Sequence, residues 1–174
     1  PNAAAVAQSL TARLCLPVVV LGETPDDVPP HHIGMYLTPL PNGAVAVGSP
    51  TLAMQLLGPD GRRELAADLD RDGLPAIDDR PETLHRFDAP SAQLEALGYR
   101  VVRLPLVPLA DNVTFVTFNN GVFHGDQFLM PSYGTALDAP AQELLRAEGI
   151  RATPIPVRAI FRHHGSVRCL INRL

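Results

Sequence analysis

The residue types with the most chemistry in them gather near the C-terminus, in Arg162-His163-His164-Gly165-Ser166-Val167-Arg168-Cys169-Leu170-Ile171-Asn172-Arg173-Leu174. Cys169 stands on a short apolar run just after a small-residue turn, a place where a strand can hold a nucleophile and present it at its end. Thiols attack as thiolates, a form that nearby cations favour, and two histidines and Arg168 are close in sequence. The competing reading is an inert core thiol, since free cysteine is among the most buried residue types. A second group, His31-His32, ends a proline-rich loop. An imidazole there can give a proton to a leaving group and later take one from water, or it can be plain polar surface.

Composition bounds what these residues can do. The chain has 174 residues, enough for one domain with a real core, so 1–174 is expected to be a single domain. Apolar residues make up 46% and the formal charge is −4, which argues for a globular protein and against a nucleic-acid surface. All 14 basic residues are arginine, which excludes Schiff-base chemistry and a Walker-type phosphate loop. Cys15 and Cys169 make neither a disulfide framework nor a zinc knuckle. No apolar run is long enough to span a membrane and the first residues lack a secretory pattern, so a cytoplasmic protein with no membrane partner is expected. The chain opens at Pro1, directly in a helical pattern, as a fragment, a processed product or a trimmed chain would.

The elements that must position the candidates follow from periodicity. Ala3 to Leu14 reads as a helix ending before Pro17, and Val18-Val19-Val20-Leu21 as a strand covered on both faces. Cys15, at their junction, is expected to be buried and Cys169 accessible. An acidic, proline-rich loop from Glu23 to Pro30 delivers His31 and His32 to a strand, and Pro41-Asn42-Gly43 predicts a hairpin with a type I′ turn. A helix opens at Ser49-Pro50-Thr51, and Gly58 to Pro81 reads as irregular. Within it Asp68, Asp70, Asp72 and Asp79 match the start and twelfth position of a calcium loop, although Pro75 and Pro81 fall where that loop and its helix would not take them. The alternative there is a solvated acidic loop.

A repeat follows. Asp88-Ala89-Pro90 leads a helical pattern that stops at Gly98 and passes into the strand Tyr99 to Leu104. Asp138-Ala139-Pro140 leads another that stops at Gly149 and passes into Ile150 to Val157. Asp as cap, Pro in the first turn and Gly at the left-handed end are helix punctuation. Between the copies, Val113 to Phe118 and Gln127 to Met130 read as strands joined by a loop with Asn119-Asn120-Gly121. With a closing strand at Cys169, the order is a tandem ββαβ array, the mark of a repeat architecture.

His164-Gly165-Ser166-Val167-Arg168-Cys169-Leu170-Ile171-Asn172 resembles the C-terminal signature of the guanidino-group-modifying enzymes, the pentein superfamily of arginine, agmatine and peptidylarginine deiminases and amidinotransferases. Their nucleophilic cysteine closes the chain in a pattern like G-x-x-[HR]-C-x-[TS], and Ile171 stands where Thr or Ser is usual. Pro30-His31-His32-Ile33-Gly34-Met35-Tyr36-Leu37 resembles the blade start G-H-x-D of that family. His32 matches its catalytic histidine, while Gly34 replaces the carboxylate that holds the substrate guanidinium. Asp111-Asn112-Val113-Thr114-Phe115 and Met130-Pro131-Ser132-Tyr133-Gly134 resemble an Asn-containing strand and a V-P-x-[FY]-G hairpin of the family.

The resemblance implies a pentein-like α/β propeller of five ββαβ blades around a central active site, with about three blades here. The missing N-terminal blades, which bring a further carboxylate, would lie on a second chain or an N-terminal part, or be replaced by self-association. It also implies Cys169 as nucleophile, His32 as acid and base, and Gly34, Asp111, Asn112 and His164 toward the substrate. No cofactor is implied, and the substrate would be a small guanidino compound or peptidyl arginine. The chemistry suits these residue types: a guanidinium carbon is a poor electrophile and needs a thiolate, and carboxylates grip the planar cation in bidentate fashion. Two alternatives stand beside the hydrolase or amidinotransferase. One is a non-catalytic pentein-fold binding protein, suggested by Gly34, and the other is an unrelated thiol hydrolase, for which no oxyanion donor can be assigned.

Overall fold

The computed structural model describes residues 2–22 and 24–171. Pro1, Glu23 of the acidic loop, Asn172 of the tail motif, Arg173 and Leu174 lie outside the described residues. The fold is two ββαβ units joined through one core. In the first, β1 (Leu37–Pro39) and β2 (Val45–Ser49) form an antiparallel hairpin. Two helices, α2 (Pro50–Arg71) and α3 (Pro81–Ala96), then carry the chain to β3 (Val101–Pro108), parallel to β2. An antiparallel strand, β4 (Phe115–Thr117), completes the sheet β1-β2-β3-β4. In the second unit, β5 (Val122–His124) and β6 (Gln127–Ser132) pair antiparallel, α4 (Asp138–Ala147) crosses over, and β7 (Arg151–Pro156) returns parallel to β6. The sequence spacing pointed to about three units. Two sheets form because α2 and α3 both lie between β2 and β3, so the extra helix adds to the first unit rather than opening another.

Parallel strands need cover on both faces, and β2 is buried along its whole length. Val45 and Val47 turn toward Phe87 and Leu94 of α3, while Ala46 joins Leu57, Leu65 and Leu69 of α2. That second cluster runs on through Leu104 and Phe118 to Phe128, Met130 and Leu145, so the core is continuous from one unit to the other. Among the described residues no helix is long and apolar enough to cross a membrane.

Several local expectations change. The helix Ala3–Leu14, α1, forms but buries no residue. Val18 to Leu21 is extended without a strand partner: the Gln93 side chain of α3 donates to the Val20 carbonyl and accepts from the Gly22 N–H, both at 2.8 Å. This amide does for two backbone groups what a neighbouring strand would have done, on one side only. Cys15 is exposed, with φ 53 at the end of α1, and not buried. The hairpin at Leu40–Gly43 exists, but only Gly43 has positive φ, so Pro41 and Asn42 make a type I turn followed by a left-handed glycine.

The stretch expected to be irregular is mostly helix. Gly58 (φ 60, ψ −175) and Pro59 break α2, and the helix resumes at once because proline suits a first turn and Leu65 and Leu69 supply a buried i, i+4 stripe. Asp68 and Asp70 therefore sit in a helix and not in a calcium loop. Asp68 and Asp72 both bind Arg158, and Asp79 binds Arg62. Among the described residues no group of three or more His, Cys, Asp and Glu is placed to hold a metal ion.

The Asp-Ala-Pro copies are not equivalent. Asp88 and Pro90 lie inside α3, which starts at Pro81, where the buried Asp78 carboxylate takes hydrogen bonds from the Arg80 guanidinium and the Thr83 hydroxyl. Those bonds, with Arg80 first, hold Asp78 down at about 2 against the opposing effect of burial. Asp138 does open α4, but its carboxylate collects the N–H groups of Tyr133 and Gly134 and the Ser132 hydroxyl instead of capping helix amides. What does repeat is the helix end. Gly73, Gly98 and Gly149 all have positive φ, and each is followed by a residue whose N–H reaches back to a carbonyl five positions earlier: Leu74 to Leu69, Tyr99 to Leu94 and Ile150 to Leu145.

A Cβ at Gly149 would meet nothing within 4 Å, so its replacement isolates the backbone cost. Gly149→Ala is expected to lower unfolding free energy by about 1–2 kcal/mol, read from the urea midpoint at unchanged slope.

Candidate active site

The candidate residues meet at the crossing between the two sheets. From β4 the chain passes through Phe118-Asn119-Asn120-Gly121 into β5, and both asparagines are fully buried. Each amide there fastens a different segment. Thr117 Oγ1 donates to the Met35 carbonyl at 2.6 Å, Asn119 Nδ2 to the Ala46 carbonyl at 3.0 Å, and Asn120 Nδ2 to the Gly34 carbonyl at 3.2 Å. The 3-10 turn Ile33–Met35, and with it His32 just before, is thus held from below by the crossing strand.

The tail arrives from β7 through the turn Phe161–His163, the left-handed residue His164 (φ 65) and Gly165. Among the described residues no closing strand forms: Arg168–Leu170 is a 3-10 turn, its backbone taken up by bonds three residues back, such as Cys169 N–H to Ser166. Ser166 is buried and donates both its N–H and its hydroxyl to Asn120 Oδ1, at 3.2 and 3.0 Å, while the Arg168 N–H reaches the Asn120 carbonyl at 2.9 Å. Gly165 has a steric reason. A Cβ there would stand 2.9 Å from Cys169 Cβ and 3.0 Å from its sulfur, closer than real side chains pack.

These supports place Cys169 Sγ 3.7 Å from His32 Nε2, across 137 positions of sequence. The thiol is exposed, and its S–H donates to Asn120 Oδ1 at 3.3 Å. Behind the pair runs a second set of contacts. Asp111 Oδ2 accepts from the Thr114 hydroxyl at 2.6 Å, and Thr114 Oγ1 lies 2.9 Å from His164 Nδ1. A hydroxyl has one proton, so with Asp111 taking it His164 Nδ1 must be the donor in the second bond. Burial raises the Asp111 carboxyl, but bonds from the Thr114 hydroxyl and the Thr114 and Val113 N–H groups outweigh it and leave it below its usual range.

Asn112 holds a left-handed turn position (φ 62), its N–H on the Leu109 carbonyl. Asp126 pairs with Arg151 beside the β5–β6 hairpin. The atoms nearest a Cβ at Gly34 belong to Arg168 and His32, not to the Asp111 or Asp126 carboxylate. What stands there is a cation: a Cβ at Gly34 would lie 3.2 Å from Arg168 Nη1 and 3.7 Å from His32 Nδ1. Arg168 is fixed there by its Nε bond to the Gly121 carbonyl at 2.8 Å. Beside it, Val122, Phe123, Arg168 and Ile171 line a cavity of about 320 Å³. The Tyr133 hydroxyl of the hairpin match is bonded to both the N–H and the carbonyl of Thr117.

Compared by sequence, the chain matches no family model and no curated protein. Solved structures do match. Agmatine deiminase of C. jejuni superposes with a TM-score of 0.66 at 17% identity, over 97% of this chain and 46% of that one. A cysteine-to-serine variant of the C. jejuni enzyme with substrate bound gives 0.63 at 16% identity, over 97% and 45%. The fold is the pentein fold. It is the fold of guanidino-modifying enzymes, and this chain spans a little under half the length of the pentein structures it matches. A structure assigned as a peptidyl-arginine deiminase agrees, with a TM-score of 0.60 at 12% identity over 98% of this chain and 47% of that one.

Reading the sequence missed Asn120, Ser166 and Thr114, the residues that support the candidate pair and the contacts behind it. The signal was there in part: two amides interrupt the apolar run from Phe115 to Val122, and a polar side chain in a buried run must find partners. Gly165→Ala is expected to push the Cys169 sulfur from His32. Peptide-mapped alkylation should then show Cys169 modified at least about tenfold more slowly relative to exposed Cys15 than in the parent protein, a loss of the size a displaced reacting group suffers.

Proposed function

We propose that this chain is the single-domain, cysteine-bearing C-terminal part of a guanidino-group hydrolase of the deiminase kind, or of an amidinotransferase. The observation that carries the reading is the 3.7 Å approach of Cys169 to His32 at the crossing of two ββαβ units. In the reaction, Cys169 gives its proton to His32 and its sulfur adds to the guanidinium carbon. The tetrahedral adduct collapses as His32 protonates the departing ammonia or amine, leaving an amidino-thioether. Water, losing a proton to His32, adds to that carbon, and the C–S bond breaks to free the ureido product and the thiol. In the transferase version an acceptor amine replaces the water. No step calls on a cofactor.

Carboxylates must hold the substrate cation in plane over the sulfur. Asp111 is the carboxylate on this chain linked to the pair through Thr114 and His164, with Asn112 beside it. We assign the remaining grips to blades outside this chain, on a second chain, an N-terminal part or a second copy, in keeping with its span of 46% of agmatine deiminase. The substrate is a small guanidino compound or peptidyl arginine. Both cysteines are free thiols, the state that a reducing cytoplasm preserves.

The decisive experiment incubates the protein, with its completing blades, with agmatine, arginine or an arginyl peptide. A ureido product and an amidino adduct on Cys169, seen by mass spectrometry, are expected. Cys169→Ala should remove the adduct and lower turnover by a thousandfold or more, on the order of other nucleophile deletions. Turnover that survives this substitution refutes the reading. Gly34→Asp is a second test. Arg168 Nη1 stands where the new carboxylate arrives, so the charge-assisted bond forms inside the protein, and agmatine affinity should change by less than about threefold rather than the tenfold or more that a free grip would give.

A further inference from the structure

We propose that His31 is a positioning residue: as the neutral ring protonated on Nε2 it links the His32 N–H to the tail that carries Cys169, and its protonation breaks that link at its His32 end. The inference rests on Cys169 and His32 being the reacting pair, but not on any substrate. His31 Nδ1 accepts the His32 N–H at 2.8 Å, so that nitrogen must keep its lone pair. His31 Nε2 lies 3.2 Å from the His164 carbonyl, which can only accept. One state satisfies both contacts, the neutral ring with its proton on Nε2. A second proton would set an N–H on Nδ1 against the His32 N–H and break the first bond.

The position makes this more than a local turn. Residues 31 and 164 are 133 positions apart, and each lies close in sequence to one member of the pair, His31 beside His32 and His164 a turn before Cys169. The ring sits against His32 at 4.5 Å between centroids and against Phe115 of β4 at 5.6 Å. The groups that face it are His32 on its own loop, His164 on the tail and Asp111 from the β3–β4 turn. Burial first, then the His32 charge, push His31 below its ordinary 6.5, while the bond to the His164 carbonyl and the Asp111 charge pull weakly the other way. A base with a lowered folded value contributes its stabilisation above 6.5, and that contribution is lost as pH falls through the folded value. The link is therefore complete at neutral pH and in acid is broken at its His32 end, while the Nε2 bond to the His164 carbonyl remains.

The test reads Cys169 reactivity in the full protein, with exposed Cys15 as internal reference, by iodoacetamide labelling and peptide mapping from pH 5 to 8. The parent protein should show an acid step in the Cys169 to Cys15 ratio. His31→Gln keeps an acceptor and a donor but does not titrate, so it should keep the neutral-pH ratio and lose the step. His31→Phe keeps the ring packing and loses both bonds, so its ratio should shift at least about threefold at every pH, a modest displacement effect. A step that persists in His31→Gln overturns the proposal, as does a folded His31→Phe with the parent ratio. Absence of guanidino turnover alongside the expected ratios would fall on the hydrolase reading and leave this one standing.

Discussion

Asn120 carries the site through one buried amide. Its oxygen accepts from the Ser166 N–H, the Ser166 hydroxyl and the Cys169 thiol, and its nitrogen donates to the Gly34 carbonyl. Its own backbone carbonyl takes the Arg168 N–H. The orientation of the amide is not free: Gly34 requires a donor and Ser166 an acceptor, so a flip would break both bonds. Each buried group left unmade costs about 1–3 kcal/mol, which makes one side chain the joint between the His32 loop, the strand crossing and the tail. Asp in this place would turn an oxygen toward the Gly34 carbonyl, and Leu would take this acceptor from the Ser166 N–H and this donor from the Gly34 carbonyl.

Around that joint the charge nearest Gly34 is the Arg168 cation. Arg168 lies against Gly34, and His31, His32 and His164 surround the approach to Cys169. The nearby Asp111 is engaged by the Thr114 hydroxyl and two backbone amides. A thiolate suits these surroundings better than a bare cation does. In the proposed reaction the two meet: the cationic substrate needs acidic partners from outside this chain, and the chain contributes the nucleophile, its acid–base partner and the Arg168 guanidinium beside them.

Residue types with a local signature were legible in the sequence. Left-handed glycines at helix ends, the hairpin at Asn42-Gly43 and the paired motifs at His32 and Cys169 all rest on short-range stereochemistry or a fixed spacing. Failures came where a distant partner decided the outcome. Val18 to Leu21 has strand composition, yet its partner is the Gln93 side chain, which no alternation reveals. Leu65 and Leu69 lie among charged residues, and only packing against the first sheet shows that they form a helix face. Asp88-Ala89-Pro90 carries the punctuation of a helix start inside a helix, because the buried Asp78 had already set the start at Pro81. Arg168 read as a neighbour of the nucleophile in sequence; that it fills the place opposite Gly34 depends on the 3-10 turn that replaced the expected strand.

That turn also sets Cys169 over the place where the two units meet. Neither ββαβ unit alone has a site, since β1 to β4 bring His32 and β5 to β7 bring the tail. The two become neighbours only where β4 passes into β5. Gly121 makes the passage close, because a Cβ there would fall 2.4 Å from Phe128 Cζ and 2.5 Å from the Leu129 carbonyl, and its own carbonyl anchors Arg168. The tail over this seam continues from β7, which pairs with β6 in the second half of the core. Cys169 and His32 thus meet as a consequence of completed folding of both units, and the same bonds that report a closed seam hold the sulfur at the imidazole.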